Sequence, residues 1–177
     1  HNTPGYRKLF SYTFDTPASG WQQSSFDDSS WKKGEAGFAS HKVEGSTARK
    51  FGTEWKGQQI YLSTRFQADK KRTGNLALRV THDGDTKVYL NDLLIYDKTG
   101  ADYCILNLDT RLAAALRDGE NLIAVESKSG RQNYIDVSLF DMKNEKADDI
   151  LFTPGQPNIL RGPNGFEWWL IYMANKN

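Results

Sequence analysis

Apolar and polar residues alternate through the middle of the chain. In IYLSTRF, residues 60 to 66, every second position belongs to one mostly apolar face, and Tyr61, Ser63 and Arg65 fall on the other. A period of two is typical of a strand with one buried face. The same alternation recurs in NLALRVT, residues 75 to 81, and in YIDVSLFDM, residues 134 to 142. The pattern therefore predicts several strands rather than helices.

Turn residues separate these strands. In TKVYLNDLLIYD, residues 86 to 97, Asn91 and Asp92 lie between two apolar runs and tolerate positive φ, which predicts a hairpin. Short strands joined by turns at such intervals favour an antiparallel sandwich. The predicted fold class is therefore all-β, an antiparallel β-sandwich.

Two segments interrupt the strand pattern. LDTRLAAALRDGENL, residues 108 to 122, predicts one short helix: Asp109 or Thr110 can cap its start, an apolar stripe follows, and Gly119 can end it in a left-handed conformation. Ala39 to Gln59 is polar and rich in Gly and Lys, which predicts a long loop. Loops of that length are often functional.

Composition narrows the function. The 177 residues suit one domain with a small appendage, and 23 Lys plus Arg balance 22 Asp plus Glu. The balanced charge therefore gives no strong electrostatic field that would favour binding to nucleic acid or to an anionic membrane. No apolar run approaches the ~20 residues that span a bilayer. A single cysteine, Cys104, excludes an internal disulfide and a multi-thiolate metal site, and its apolar surroundings predict a buried side chain.

Candidate polar chemistry is sparse. Three histidines lack zinc-ligand spacing, and neither a phosphate-binding glycine loop nor a Ser-His-Asp motif occurs. The acid pair Asp27-Asp28 could be catalytic or metal-binding, and Asp83-Gly84-Asp85 could coordinate a cation; both are interpreted as turns. Neither a catalytic residue, nor a metal ligand, nor a cofactor is assigned, although backbone carbonyls could hold a structural calcium ion.

Several stretches together carry a resemblance. GWQQSSFDDSSWKKGEAGF, WKGQQIYLSTRF, HDGDTKVYLNDLLIYD, LRDGENLIAVES and YIDVSLFD, in this order, resemble the galactose-binding-like sugar-binding domains of glycoside hydrolases, notably those at the start of family 2 enzymes. The likeness covers roughly Leu9 to Met142 and departs at Asp92, where the hairpin usually has glycine. It implies a jelly-roll sandwich in which Trp21, Phe26 and Trp31 anchor the entry loop.

The end of the chain differs in kind. We divide the sequence into a galactose-binding-like sandwich, residues 1–142, and a linker with the first strand or strands of a truncated following domain, residues 143–177. PGQPNILRGPNGFEWWLIYMANKN resembles the first blade of family 43-like β-propeller hydrolases, where an Asp-Pro pair supplies the general base. Here Gln156 precedes Pro157, and an amide cannot accept the proton. A glycosidase needs two carboxylates on a completed scaffold, so no complete active site is expected in this chain.

Aromatic residues are the better functional candidates, because sugar C–H faces stack on rings while hydroxyls need planar polar partners. The predicted carbohydrate-binding residues lie in inter-strand connections and are Trp55, Tyr103, Arg131, Asn133 and Tyr134. Alternatives stay open: Trp55 could plug the end of the sandwich, and Arg131 and Asn133 could be solvated loop residues.

Two functions follow from the resemblance. The chain is either a non-catalytic carbohydrate-binding or accessory domain of a secreted glycoside hydrolase acting on polysaccharide, or a structural brace on a family 43-like catalytic propeller. The implied partners are carbohydrate and a catalytic domain of the same polypeptide, with neither nucleic acid nor membrane, and the implied location is extracellular or periplasmic. Gln156 also leaves open an inactive propeller used for recognition.

Overall fold

The computed structural model describes residues 9–40, 52–68, 76–107 and 114–141. These residues form eleven strands, which in chain order are β1 (Leu9–Thr13), β2 (Lys32–Glu35), β3 (Phe38–Ala39), β4 (Thr53–Glu54), β5 (Gln59–Ala68), β6 (Leu76–His82), β7 (Thr86–Leu90), β8 (Leu93–Lys98), β9 (Asp102–Asn107), β10 (Gly119–Lys128) and β11 (Tyr134–Asp141).

The strands form two sheets. The six-stranded sheet has the order β2-β1-β5-β10-β7-β8, and the five-stranded sheet has the order β4-β3-β11-β6-β9. Neighbours pair antiparallel except β3 and β4, which are parallel. The predicted all-β sandwich is therefore confirmed.

The predicted short helix is wrong in the part that can be compared. Residues 114–118 form a turn and a loop, while residues 108–113 lie outside the described ranges. Gly119 does adopt positive φ, 88°, but it opens β10 instead of ending a helix. Within the described ranges no helix is long and apolar enough to cross a membrane.

The main core lies between the sheets. Alternation places Ile60 and Leu62 of β5 inward, and both are at most 1% exposed. Phe10 from one sheet meets Phe38 from the other edge-to-face, with ring centroids 6.2 Å apart. The inward residues of β6, β7, β10 and β11 complete the same cluster. Burial of these apolar side chains is the main stabilising contribution to the fold.

A second cluster covers the outer face of the six-stranded sheet. Trp21 packs edge-to-face on Tyr61, with ring centroids 5.2 Å apart, and on Tyr89 at 6.0 Å. Trp31 and Phe26 pack against the same cluster. These three aromatic side chains thus fasten residues 20–31 to the sheet, as the resemblance implied.

The adjacent acids in that segment have separate structural roles. Asp27 Oδ1 accepts the Ser29 N–H at 2.9 Å, and this bond lowers the pKa of the exposed Asp27 carboxyl. Burial alone would raise the pKa of Asp28, but the hydroxyls of Ser63 and Ser11 and the Arg65 guanidinium outweigh burial and lower it. Arg65 Nη1 donates to Asp28 Oδ1 at 3.1 Å. Asp27 therefore holds a turn, as the turn interpretation predicts, and Asp28 holds an ion pair that the sequence did not predict.

Candidate functional site

One end of the sandwich gathers four connections. Antiparallel pairing places the start of β5, the end of β6, the starts of β7 and β11 and the end of β10 together. We call this end the rim and define it by residues 55–58, 83–85, 99–101 and 129–133. It contains two of the predicted ligand residues, Arg131 and Asn133, on one loop and a third, Trp55, on another.

The rim backbone is tightly packed. A Cβ at Gly84 would overlap the carbonyl oxygen of Lys128, and a Cβ at Gly130 would overlap that of Asp83. Lys128 N–H donates to the Asp85 carbonyl at 2.8 Å, so the two loops lie backbone to backbone. Only glycine permits so close an approach.

The acids of the rim accept backbone hydrogen bonds. Asp83 Oδ2 accepts the Gln132 N–H at 2.5 Å, and Asp85 Oδ1 accepts the Gly100 N–H at 3.0 Å. This geometry agrees with the turn interpretation of Asp83 and Asp85. Among the residues that the structure describes, no group of three or more His, Cys, Asp or Glu could hold a metal ion. A calcium ion on backbone carbonyls stays a prediction.

Trp55 cannot present its ring to a ligand in this structure, which corrects its assignment to carbohydrate binding. Its side chain is 1% exposed and belongs to the main core. The Trp55 N–H donates to the Ala39 carbonyl at 2.8 Å, extending the short parallel pair of β3 and β4. That pairing places residue 55 on the inner side, so the ring closes the end of the sandwich. This is the alternative in which Trp55 plugs the sandwich end.

Asn133 is half-buried and fixes neighbouring loops. Its Nδ2 donates to the carbonyls of Gly57 at 2.9 Å and Trp55 at 3.3 Å. Its Oδ1 accepts the Ser129 hydroxyl at 2.6 Å. Both kinds of amide atom are thus engaged within the chain, and a ligand would have to displace these bonds.

The other three candidates divide between two surfaces. Arg131 is exposed on the rim beside the exposed Gln132. Tyr103 lies within β9 opposite Thr81, not in a connection as predicted, and it is half-buried. Tyr134 starts β11 and is also half-buried. Because Thr81 pairs with Asp136, strand parity puts both tyrosines on the outer face of the five-stranded sheet. The five candidates therefore do not form one site.

Sequence reasoning missed a buried polar chain beneath the rim. His82 Nδ1 lies 2.7 Å from the Gly84 carbonyl oxygen, and His82 Nε2 lies 2.6 Å from Tyr96 Oη. Tyr96 Oη lies 2.8 Å from Asp102 Oδ2. His82 is 3% and Tyr96 5% exposed. The sequence did contain one signal for the burial of His82. Residue 82 lies two positions after Val80 in the same strand, so both side chains face the core.

Burial shifts the pKa values of His82 and Tyr96 in this hydrogen-bonded series. Desolvation lowers the pKa of the His82 imidazole, although the Gly84 carbonyl and the Asp102 charge act in the opposite direction. Desolvation, followed by the hydrogen bond with Asp102, raises the pKa of Tyr96 far above its ordinary value. Tyr96 therefore remains a neutral phenol at neutral and moderately alkaline pH.

The protein resembles known proteins in its fold. No protein-family profile matches the chain, and no curated protein matches it. Solved structures do match the sandwich, and each match covers only a small part of a much longer chain.

The structural neighbours named here come from glycosidases. A calcium-binding mutant of Bacteroides uniformis β-glucuronidase 2 is similar with TM-score 0.54 and 14% identity over 76% of this chain and 17% of that chain. B. uniformis β-glucuronidase gives 0.52 and 15% over 75% and 18%. A glycosyl hydrolase family 2 member from Bacteroides cellulosilyticus gives 0.50 and 18% over 77% and 20%. The protein thus spans at most a fifth of these enzymes, and such identities establish a shared fold.

These matches bear on only part of the resemblance found in the sequence. Neighbours from family 2 glycosidases agree with the fold expected for the part of the chain that the structure describes. The propeller-like segment, residues 143–177 with Gln156, lies outside the described residues.

Proposed function

We propose that this protein is a non-catalytic accessory domain of a larger, secreted glycoside hydrolase that acts on polysaccharide, and that its rim contacts carbohydrate. The observation that carries the proposal is that the same sandwich forms about a fifth of glycosidase chains. Polysaccharide is normally met outside the cytoplasm, so the proposed location is extracellular or periplasmic. The proposed partners are carbohydrate and a catalytic domain in the same polypeptide.

The rim supports a polar sugar contact. Arg131 and Gln132 are exposed on a loop held by backbone contacts with residues 83–85. A guanidinium offers several planar donors, which suit sugar hydroxyls. A loop fixed before binding loses little conformational freedom when the ligand arrives. With Trp55 buried, Arg131 is the residue of the predicted set best placed for this role.

Arg131→Ala is expected to weaken polysaccharide binding about tenfold or more. Hydrogen bonds to a charged group contribute roughly 1.5–3 kcal/mol, which corresponds to at least tenfold in affinity. Isothermal titration against soluble plant and host glycans, chosen by a glycan array with the whole chain, measures the effect. The matched control is Arg117→Ala, which removes an exposed arginine at the opposite end.

Two outcomes would count against the carbohydrate role. If the unaltered chain binds no glycan of the array, the rim has no independent ligand. If Arg131→Ala and Arg117→Ala weaken binding equally, the contact lies elsewhere or is non-specific charge attraction. Arg131→Ala should keep the midpoint of thermal unfolding, since its side chain is exposed. Arg117→Ala loses one exposed hydrogen bond, from Nη1 to Ser24 Oγ, and should lower the midpoint only slightly.

A structural brace is the second candidate function, and exposed leucines favour it. Leu9, Leu93 and Leu94 are 56%, 48% and 45% exposed. Pairing registers place all three away from the rim, toward the end where β11 finishes at Asp141. Apolar side chains are enriched at the centre of interfaces. The end from which β11 leads out is therefore the proposed contact with the catalytic domain.

Leu93→Ser combined with Leu94→Ser is expected to weaken association with any polypeptide encoded after Asn177 by about tenfold or more. Two half-exposed leucines lose roughly 1–3 kcal/mol of apolar burial in the interface. Co-purification and titration of the two separately expressed parts measure it. Ile105→Ser, at 40% exposure on the edge strand of the other sheet, is the control. Equal loss in both variants, or a gene that ends at Asn177, would contradict the brace.

A further inference from the structure

The described part of the protein has four sheet edges, and three of them carry features that block pairing with a further strand. The edge strand β2 holds the charged residues Lys32, Lys33 and Glu35. The edge strand β4 has only two residues, and the edge strand β8 contains a bulge where it pairs with β7. Charged side chains, short strands and bulges are the usual means by which sheet edges avoid association.

The fourth edge of the described structure, β9, shows none of these features. Its pairing with β6 runs without a shift from Asp102 to Asn107, and residues 103–107 are uncharged. Ile105 lies in the middle of the strand and is 40% exposed. A regular, uncharged edge strand with an exposed apolar side chain is a template for another strand.

The pairing pattern shows which backbone groups of β9 face the open edge. The Asp83 N–H donates to the Tyr134 carbonyl of β11 at 3.2 Å, so odd-numbered residues of β6 turn their backbone groups toward β11 and even-numbered residues turn theirs toward β9. Even-numbered residues of β6 lie opposite even-numbered residues of β9, which therefore bond to β6. Tyr103, Ile105 and Asn107 consequently direct their backbone groups toward the open edge.

A side-chain contact agrees with this direction. The Tyr103 N–H donates to Asp102 Oδ1 at 2.8 Å, a bond that is available because this N–H points away from β6. Among the described residues no side chain caps the Ile105 N–H in the same way. Ile105 therefore offers both a donor and an acceptor at the middle of the edge.

We propose that β9 pairs antiparallel with β9 of a second copy of this chain, about a two-fold axis at Ile105. In this register the N–H and the carbonyl of Ile105 bond to those of its equivalent, and Asn107 lies opposite Tyr103 of the second copy. Odd-numbered residues then meet odd-numbered residues, so the backbone groups that face the edge meet each other.

A second copy fits this edge in charge as well as in backbone direction. The register opposes only uncharged residues, so no like charges meet across it. A two-fold contact is closed, and the three other edges are blocked, so association stops at two copies. The contact lies on the other sheet from Leu93 and Leu94 and does not depend on the accessory role.

The dimer should be weak. A single pair of short strands buries little area, and small interfaces belong to transient complexes. Asp102 also keeps the Tyr103 N–H within its own copy, which removes a donor from the pairing. We therefore expect a dissociation constant on the order of 0.1 mM.

Sedimentation equilibrium of the whole chain from about 5 µM to about 1 mM tests the pairing, because this range spans the expected dissociation constant. The unaltered protein should shift from monomer to dimer. Ile105→Lys places like charges opposite each other at the axis and should weaken dimerisation by about tenfold or more. A monomer at every concentration, or an Ile105→Lys protein that dimerises like the unaltered one, would overturn the proposal.

Two control variants separate edge pairing from general effects of substitution. Ile105→Val keeps a β-branched apolar residue at the axis and should dimerise like the unaltered protein. Asp97→Lys adds a lysine to β8, an edge strand of the other sheet, and should also dimerise normally. All three variants should keep the midpoint of thermal unfolding, since both positions are exposed. Loss of the dimer in Asp97→Lys would show that net charge controls association, and would count against the proposal.

Hydrogen exchange at the Ile105 N–H distinguishes a second copy from other occupants of the edge. We expect protection that rises with protein concentration, in step with the fraction of dimer. Protection that is equally strong in dilute protein would place a segment of the same chain on β9 and would refute pairing with a second copy. An Ile105 N–H that exchanges freely at every concentration would refute it as well.

Discussion

Replacing Asn121 with alanine is expected to lower the free energy of unfolding by about 3–5 kcal/mol. Asn121 is fully buried, and its Oδ1 accepts the Arg117 N–H at 2.8 Å and Asn91 Nδ2 at 2.7 Å. Its Nδ2 donates to the carbonyls of Arg117 and Gly119, both at 2.9 Å. Truncation leaves one amide hydrogen of the buried Asn91 without this partner, which costs roughly 1–3 kcal/mol, and the three lost bonds to the Arg117 and Gly119 backbone contribute up to about 1 kcal/mol each.

The loss should spread to the β7–β8 hairpin because Asn91 shares the network. Asn91 Oδ1 accepts the Leu122 N–H at 2.9 Å, and its Nδ2 also donates to the Ala115 carbonyl at 2.7 Å. Asn91 sits at φ 46°, a left-handed conformation that asparagine tolerates. The two amides therefore tie the hairpin to the loop before β10.

Urea unfolding followed by tryptophan fluorescence measures the Asn121→Ala effect, and Asn133→Ala is the matched control. Asn133 also makes three side-chain hydrogen bonds, but it is half-buried, so water can replace them and the expected loss is about 1 kcal/mol. Equal losses for the two variants would mean that burial does not determine how much these amide hydrogen bonds contribute to the free energy of unfolding.

Trp55→Ala is expected to destabilise the fold by about 3–5 kcal/mol, the usual cost of deleting a large aromatic side chain from a core. Trp55 is the largest of the side chains under 2% exposed in the described part of the protein. Weaker glycan binding by this variant would therefore report unfolding rather than a lost stacking contact.

Trp55→Phe separates the two interpretations. Trp55 Nε1 is buried without a hydrogen-bond partner in the described structure, so the smaller ring sacrifices no hydrogen bond. We expect a loss of about 1–2 kcal/mol from reduced packing and an unchanged glycan affinity. Unfolding curves and titrations on the same preparation measure both. A stable Trp55→Phe chain that no longer binds its glycan would restore Trp55 as a ligand residue.

Much of the fold was predictable because its signals are local. Strand parity along residues 60–66 and 135–139 records which side chains face the core, since successive residues in a strand point to opposite faces. The hairpin was predictable for the same reason: Asn91 and Asp92, with φ of 46° and 79°, satisfy the turn by their own conformational preferences. The anchoring role of Trp21 also followed from the sequence, through the resemblance of its segment.

The local signals failed where a competing long-range contact prevailed. The segment that contains Leu116 was assigned to a short helix, yet Leu116 is 1% exposed and packs in the core from a loop, whose backbone is held by Asn121. A helix propensity of a few tenths of a kcal/mol per residue is outweighed by long-range contacts that contribute several kcal/mol. The same reasoning applies to Tyr103, which pairs with β6 as part of an edge strand.

What the sequence by itself determined is the strands over residues 60–66, 75–81, 86–97 and 134–142, their buried faces and the turn chemistry, because each depends on residues close together in the chain. Only the tertiary structure decided that Trp55 is a core residue, that Asn133 is a loop clamp and that His82 meets Tyr96 and Asp102. Those facts depend on which distant backbone carbonyl or side chain occupies the adjoining space. The sequence supplies a tryptophan, an asparagine and a histidine, and packing assigns each its partner.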